Sequence, residues 1–393
     1  MTRPHSVAEV FIAFLKLGLT SFGGPIAHIG YYRQAFVEKR RWLSEEQFAQ
    51  LLVLCQFLPG PASSQMGFSL GMMRAGWLGA IAAFIAFTLP SALLLFAFAL
   101  WLPYLSNNIG QAAIHGLKLV ALVVVAQAVW QMASKLTSDW TRRSIALLAI
   151  IFLLLTAHPL AQVAVVIGSA LLGLLLCRES SPQSTPITVN YGPKLAWGLL
   201  ILFTVLLFGL PWLARENSLL AVVDAFYHAG ALVFGGGHVV LPLLEHTVVE
   251  PGWVAADEYL AGYGAAQAVP GPVFSVAAYL GAMLPGANGG LVGASLALIA
   301  IFLPGFLLVS AMLPLWQTLQ KYPLTARSIA GVNAGVVGLL AAALYDPIWV
   351  SVVHHLSDVI IAVIGLLLLQ LWRISALWIV LWCICASVVV SLL

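Results

Sequence analysis

Charge is what this chain has least of. Only 8% of its 393 residues are Asp, Glu, Lys or Arg, against about 25% in a soluble domain. So few charges cannot cover a water-facing surface of this size, which excludes a soluble globular protein and leaves lipid as the main solvent. A basic stripe is also missing: the net charge of +3 is spread over a few loops, so nucleic-acid binding has no footprint. Cysteine is scarce. Cys55, Cys177, Cys383 and Cys385 sit inside apolar stretches without a CxxC pair and read as small apolar residues. No nucleophile–base pair, Gly-rich phosphate loop or metal-ligand cluster stands out, so neither an enzyme nor a cofactor is expected. His354-His355 reads as a solvated loop pair, and Met1 to His5 as a short polar start without a cleavable signal.

What fills the chain instead is apolar residue, 62% of the total, arranged as a repeat. Phe22-Gly23-Gly24-Pro25 recurs as Phe234-Gly235-Gly236-Gly237. Gln56-Phe57-Leu58-Pro59-Gly60-Pro61 recurs as Gln267-Ala268-Val269-Pro270-Gly271-Pro272. Between these marks Trp42 faces Trp253, and beyond them Leu89-Pro90-Ser91 matches Leu303-Pro304-Gly305. Conserved order and spacing point to duplication. The expected division is a first repeat over 1–177, a polar linker with one connecting helix over 178–216, and a second repeat over 217–393.

The expected fold is an all-α polytopic membrane protein. Spanning takes about 20 apolar residues, which Trp77–Leu102 and Ile109–Met132 supply, with the shorter Ser144–Leu155 and Leu160–Leu176 after them. The preceding segments, Val7–Thr20, Pro25–Phe36, Ser44–Phe57 and Ala62–Met73, reach only roughly 20 Å. They read as two re-entrant hairpins with tips at Ser21–Pro25 and Pro59–Pro61, followed by about four transmembrane helices; two kinked single spans are the alternative. Arg33, Lys39, Arg40, Arg41 and Arg74, then Lys135, Arg142, Arg143 and Arg178, all fall on one side, the cytoplasmic one by the positive-inside rule. In the second half the equivalent base, His246–Glu258, carries acids and no Lys or Arg, while Lys321, Arg327 and Arg373 lie at alternate loops. The connecting helix, Lys194 to Leu213, crosses once. The second half is therefore expected to be inverted, with the N-terminus cytoplasmic and the C-terminus periplasmic.

Inverted repeats with broken helices place helix N-termini near the bilayer midplane, where they hold anions. Short helices are expected to begin at Gly24, Ala62, Gly236 and Val273, each offering unpaired N–H groups and about half a positive charge. Glycine lets backbone approach a ligand, and proline near a helix start removes a donor that would be orphaned. The alternative is that these residues only permit tight turns. Ionisable residues within the membrane are functional candidates: Lys16, one turn before the first tip, with His228 as its repeat equivalent, and Lys118, opposite Asn333. Either lysine can also snorkel to an interface. His28 and His238 follow the Gly-rich tips as donors or as packed helix histidines. Ser64 and Ser275 follow the Pro-Gly-Pro turns, where hydroxyls join the N–H donors; Gln56 and Gln267 precede them and bind ligand or brace the hairpin. Asp224 and Glu245 lack acidic counterparts and are weak candidates for proton coupling. Glu45, Glu46, Asp257 and Glu258 read as helix-start carboxylates that favour the dipole.

Ser21-Phe22-Gly23-Gly24-Pro25 with Ala27-His28-Ile29-Gly30, then Trp42-Leu43 and Leu58-Pro59-Gly60-Pro61, resembles the chromate ion transporter family. Phe234-Gly235-Gly236-Gly237-His238 with Pro270-Gly271-Pro272 fits its long, two-domain form. The resemblance implies efflux of chromate from the bacterial cytoplasm through the inner membrane, driven by the membrane potential or the proton gradient, with sulfate as a competing anion; a homodimer is left open. Arg74 and the loop at Gly286–Gly290 differ between the halves, so the two need not act alike. A potential of 100 mV, negative inside, favours outward movement of a dianion by about 4.6 kcal/mol.

Overall fold

Lipid offers no hydrogen bonds, so a backbone in it must close its own, and every regular element described is helical. The computed structural model describes residues 6–22, 24–105, 108–156, 161–177, 189, 191–214, 219–233, 240–316, 323–372 and 374–392. The first half comprises α1 (Val7–Thr20), α2 (Gly24–Tyr32), which widens into a π-turn over Arg33–Lys39, α3 (Glu45–Phe57), α4 (Ala62–Trp101), α5 (Asn108–Leu136), α6 (Trp140–Leu155) and α7 (Ala161–Leu176). The connecting helix is α8 (Pro193–Leu213). The second half comprises α9 (Leu219–Ala231), α10 (Val240–Val248), α11 (Ala256–Ala268), α12 (Val276–Met283, led in by a 3-10 turn at Val273–Ser275), α13 (Gly290–Met312), α14 (Pro323–Ala343), α15 (Leu356–Gln370) and α16 (Ala376–Leu392).

Polar residues start helices at the expected water-facing ends. Ser6 Oγ accepts from the Ala8 amide, Asp139 from that of Arg142, and Ser44 forms a reciprocal capping box with Gln47. The cap of α3 is thus Ser44, with Glu45 and Glu46 in the first turn; the Ser44 hydroxyl and the backbone hold the Glu46 carboxyl below its ordinary range.

Among the described residues, five helical stretches are long and apolar enough to cross a bilayer: Ala62–Tyr104, Asn108–Leu136, Pro193–Leu213, Gly290–Met312 and Ala326–Val352. Of the short segments at the front of the chain, α1 matches its expected bounds and α3 differs by one residue, while Pro25–Phe36 extends to Gly24–Lys39. The larger difference is that helical structure runs on from Ala62 to Trp101. It does so across a sharp break at Ala75 (φ −142°, ψ 26°) and Gly76 (φ 65°, ψ −156°). The chain folds back there, since the backbones of Gly71 and Gly79 touch and a Cβ on either would strike the other's carbonyl. Gly281 and Gly293 make the same contact where α12 turns into α13.

The halves interlock. The last helix of each packs on the long helix of the other, α7 on α14 and α16 on α5. A Cβ on Gly173 would lie 2.7 Å from Gly331 Cα, and one on Gly116 2.6 Å from Ile384 Cα; small residues let the backbones come this close. Within each half, α1 meets α4 at Gly18 and α9 meets α13 at Gly230, two equivalent positions. One buried cluster runs through both halves, while α8 stays on the outside with Leu202, Phe208 and Trp212 exposed.

Ion pairs collect at the helix ends. Arg74, where α4 folds back, reaches Glu9 at the start of α1 (3.3 Å) and lies over Trp42 at 5.0 Å, and Arg33 bonds Glu38 and Glu45 at 2.7 Å each. Two to three turns into α5, His115 Nε2 lies 2.8 Å from Asp358 Oδ1 and Lys118 pairs with Asp257 in the first turn of α11. Asp358 Oδ2 also accepts from the amides of His354 and His355, both exposed, and so caps α15.

Candidate functional site

The tips of the two halves exchange backbone hydrogen bonds. The Gly60 amide donates to the Val233 carbonyl at 2.6 Å, and the Gly271 amide donates to the Ser21 carbonyl at 3.0 Å. Positions 60 and 271 are repeat equivalents, as are 21 and 233, so the two bonds are one contact made twice. Both glycines need their lack of a side chain: φ is 121° at Gly60 and 110° at Gly271. A Cβ at Gly60 would lie 2.9 Å from Gly305 Cα, and one at Gly271 2.8 Å from Ser91 Oγ. Each Pro-Gly-Pro tip therefore rests on the proline-containing helix of the opposite half.

Two helix starts face this knot without a side-chain cap. Behind Pro61, the first α4 bond runs from the Gln65 amide to the Pro61 carbonyl (2.9 Å), so the amides at 62–64 precede the ladder. Behind Pro272, the Ser275 amide bonds the Pro272 carbonyl (3.0 Å). Such N-termini attract anions through aligned dipoles and free N–H groups.

The side chains around the knot are unequal. His28 is buried, with Nε2 3.3 Å from the Ser21 carbonyl, Nδ1 3.5 Å from Ser63 Oγ, and its ring edge-on to Phe87 at 5.2 Å. Gln65 is fully buried; its Nε2 donates to the carbonyls of Pro59 (2.8 Å) and Gly305 (3.1 Å), tying the tip to α13. Among the buried polar atoms without a hydrogen-bond partner in the described residues are Ser21 Oγ, Ser64 Oγ, Gln65 Oε1 and Thr88 Oγ1 in the first half, and Gln267 Nε2 before the second tip. Buried polar atoms are normally paired, and the first four lie on one connected set of first-half segments. Their second-half equivalents are Val233, Ser275, Val276 and Phe302, and Ser275 Oγ is already bonded to the Pro272 carbonyl at 2.6 Å.

Of the residues singled out from sequence, Gly24 (φ 75°), Pro59, Gly60, Pro61, Ser64, His28, Pro270, Gly271, Pro272 and Ser275 lie at the tips, with Phe22 half-buried beside them. Gln267 is buried, whereas Gln56 is exposed at the end of α3. Lys16 is exposed, on the side of α1 away from its buried Val10, Ala13, Phe14 and Gly18. Lys118 is held by Asp257, His228 Nδ1 lies 2.9 Å from Asp224 Oδ1, and Asn333 is half-buried on α14. Gly23, Gly235, Gly236, Gly237 and His238 lie outside the described residues, as do the side-chain surroundings of Pro25.

Sequence reasoning named Ser21 only as the start of a tip and Ser91 only as part of a repeat mark, and passed over Ser63, Gln65 and Thr88. The available signal was polar residues beside Gly or Pro inside otherwise apolar helices. Among the described residues no group of three or more His, Cys, Asp or Glu is arranged to hold a metal ion. The knot offers hydroxyls, amides and helix ends, which suit an anion held by dipoles.

The family profile described as "Chromate transporter" matches the chain twice, over residues 8–174 and 220–388. A "Probable chromate transport protein" of Synechococcus elongatus is 30% identical over 376 residues, covering 94% of this chain and 91% of that protein. Similar "Chromate transport protein" relatives come from Pseudomonas aeruginosa (27% over 356 residues, 87% and 81% covered) and Cupriavidus metallidurans (27% over 380 residues, 94% and 90% covered). No solved structure matches.

Proposed function

The chain belongs to the chromate transporter family, whose profile covers both halves, and from that premise we propose that it exports chromate across the bacterial inner membrane by alternating access. In this reading the halves are inverted, the tips are re-entrant, and the dianion sits at the N-terminus of α4 within reach of Ser21, Ser64 and Thr88. The observation that carries the site is the uncapped start of α4 with Ser64 Oγ and Gln65 Oε1 partnerless beside it, together with partnerless Ser21 Oγ and Thr88 Oγ1 on segments that pack around the tips. A hydroxyl in a dry site gains most from a charged acceptor.

The paired exchange between Gly60–Val233 and Gly271–Ser21 supports a two-fold relation between halves. The ion pairs support inversion. Arg33 and Arg74 gather where the first hairpins begin, while the base of the second hairpins, at Asp257, meets the N-terminal half of α5. If α1 begins in the cytoplasm, α5 begins in the periplasm, and a base at His246–Glu258 without Lys or Arg fits that side by positive-inside bias. Lys16, exposed one turn from the tip, would meet the anion on its approach rather than inside the knot.

Membrane potential is the driving force this reading favours, because outward movement of a dianion gains about 4.6 kcal/mol at 100 mV. Radiolabelled chromate flux in oriented vesicles tests it. Imposed potential should set direction and rate, and sulfate should compete through its shared charge and shape. Flux indifferent to potential would overturn the export reading, and flux of sulfate without chromate would overturn the substrate.

A further inference from the structure

Helix α9 carries an ion pair with no counterpart in the first half. His228 Nδ1 lies 2.9 Å from Asp224 Oδ1 and 3.0 Å from the Asp224 carbonyl, and the ring also meets the Leu207 carbonyl on α8. The repeat-equivalent positions hold Ile12 and Lys16. Both side chains are about three-quarters buried. Among the described residues, the helices packed most closely on α9 bring few charges: α13 has no charged residue, α8 has only Lys194 at its start, and α10 has Glu245 and His246 at its far end. On α9 itself the other titratable group is Tyr227, whose hydroxyl donates to the Phe203 carbonyl.

The pair is also joined to the tip. The Leu232 amide bonds the His228 carbonyl at 3.1 Å just past the end of α9 at Ala231, and the next residue, Val233, offers its carbonyl to the Gly60 amide. From His228 to Ala231 the helix rises about 4.5 Å, and two further residues reach Val233. At that range in a dry interior, one unit of charge acts strongly on an anion.

We propose that Asp224 and His228 form a proton site and that chromate leaves together with one proton held there. The inference rests on the chromate-export reading and names its coupling. With the proton bound, Asp224 carboxylate and His228 imidazolium sum to zero; releasing it to water leaves one negative charge beside the tip. Dianion and proton therefore bind cooperatively, each raising the other's affinity. The loaded carrier moves one net negative charge, so the potential drives export with half the force it would exert on bare chromate.

Purified protein in liposomes tests this through the charge moved per chromate, read from the reversal potential, and through the apparent KM for chromate against pH. The wild type should move one charge per chromate, and its KM should rise about tenfold per pH unit above the titration of the pair. Asp224→Asn should move two charges, with KM changing less than about twofold per unit, and Asp224→Glu should restore the slope. Protonation of chromate itself is the same for every variant, so it cannot mimic the difference. Two charges per chromate in the wild type overturn the proposal even where Asp224→Asn fails to reach the membrane. An unaltered slope in Asp224→Asn overturns it equally. Absence of chromate flux in the wild type would instead overturn the export reading.

Discussion

The two Pro-Gly-Pro tips share a backbone and differ in nearly everything attached to it. Both glycines adopt positive φ and both amides reach the opposite half. Around the first tip stand Ser21, His28, Ser64, Gln65 and Thr88; the same places around the second hold Val233, Val240, Ser275, Val276 and Phe302. Duplication has kept the hydrogen bonds that hold the tips together. Among the described residues, spare polar atoms number four around the first tip and one, Gln267 Nε2, at the second, and the proposed site accordingly lies nearer the first.

The largest effect should separate the tips on steric grounds. Gly60→Ala meets backbone at Gly305 and cannot be relieved, so a loss of about 2–4 kcal/mol and of chromate flux is expected. Gly271→Ala meets the movable Ser91 hydroxyl first, and should cost about 1–2 kcal/mol. Thermal unfolding in detergent and vesicle flux read both, and an inverted order would break the comparison. Next come the hydroxyls. Ser64→Ala and Thr88→Val should each lower kcat/KM for chromate about tenfold, as loss of a hydrogen bond to a charge does. Ser275→Ala, whose hydroxyl is already satisfied by its own turn, should lower it less than about threefold. Equal losses at Ser64 and Ser275 would show that the anion contacts both halves.

A smaller effect belongs to the pairs that join the halves at their ends. Lys118 is largely buried while Asp257 is mostly exposed, so a double-mutant cycle of Lys118→Met with Asp257→Asn should give a coupling of about 1 kcal/mol in unfolding. The smallest belongs to Arg33 with Glu38 and Glu45, all exposed; Arg33→Gln should change stability by less than about 0.5 kcal/mol. A coupling at Arg33 above that of Lys118 would mean the first-half base is the tighter one.

Local features of the fold were legible. The α1 boundaries follow from Ser6 before the apolar run and the glycines after it, and the break near Gly76 from the Arg74–Trp77 interruption. The crossing of tips between halves was not legible, because a repeat tells which positions correspond and nothing about which partner each one meets. Lys16 shows a different limit. Closeness in sequence to a tip made it a site candidate, yet helix periodicity sets it two residues from both Phe14 and Gly18, on the opposite face. Ser21 and Thr88 are ordinary polar residues until the fold buries them without partners.

The crossed pair of amide–carbonyl bonds has a thermodynamic consequence. Parting Gly60 from Val233 while Gly271 stays on Ser21, or the reverse, severs one bond of the same kind in the same local geometry. The two openings differ in what else must give way: the first also pulls Gln65 Nε2 from the Gly305 carbonyl. In the proposed export cycle the second tip is therefore the one that parts more readily.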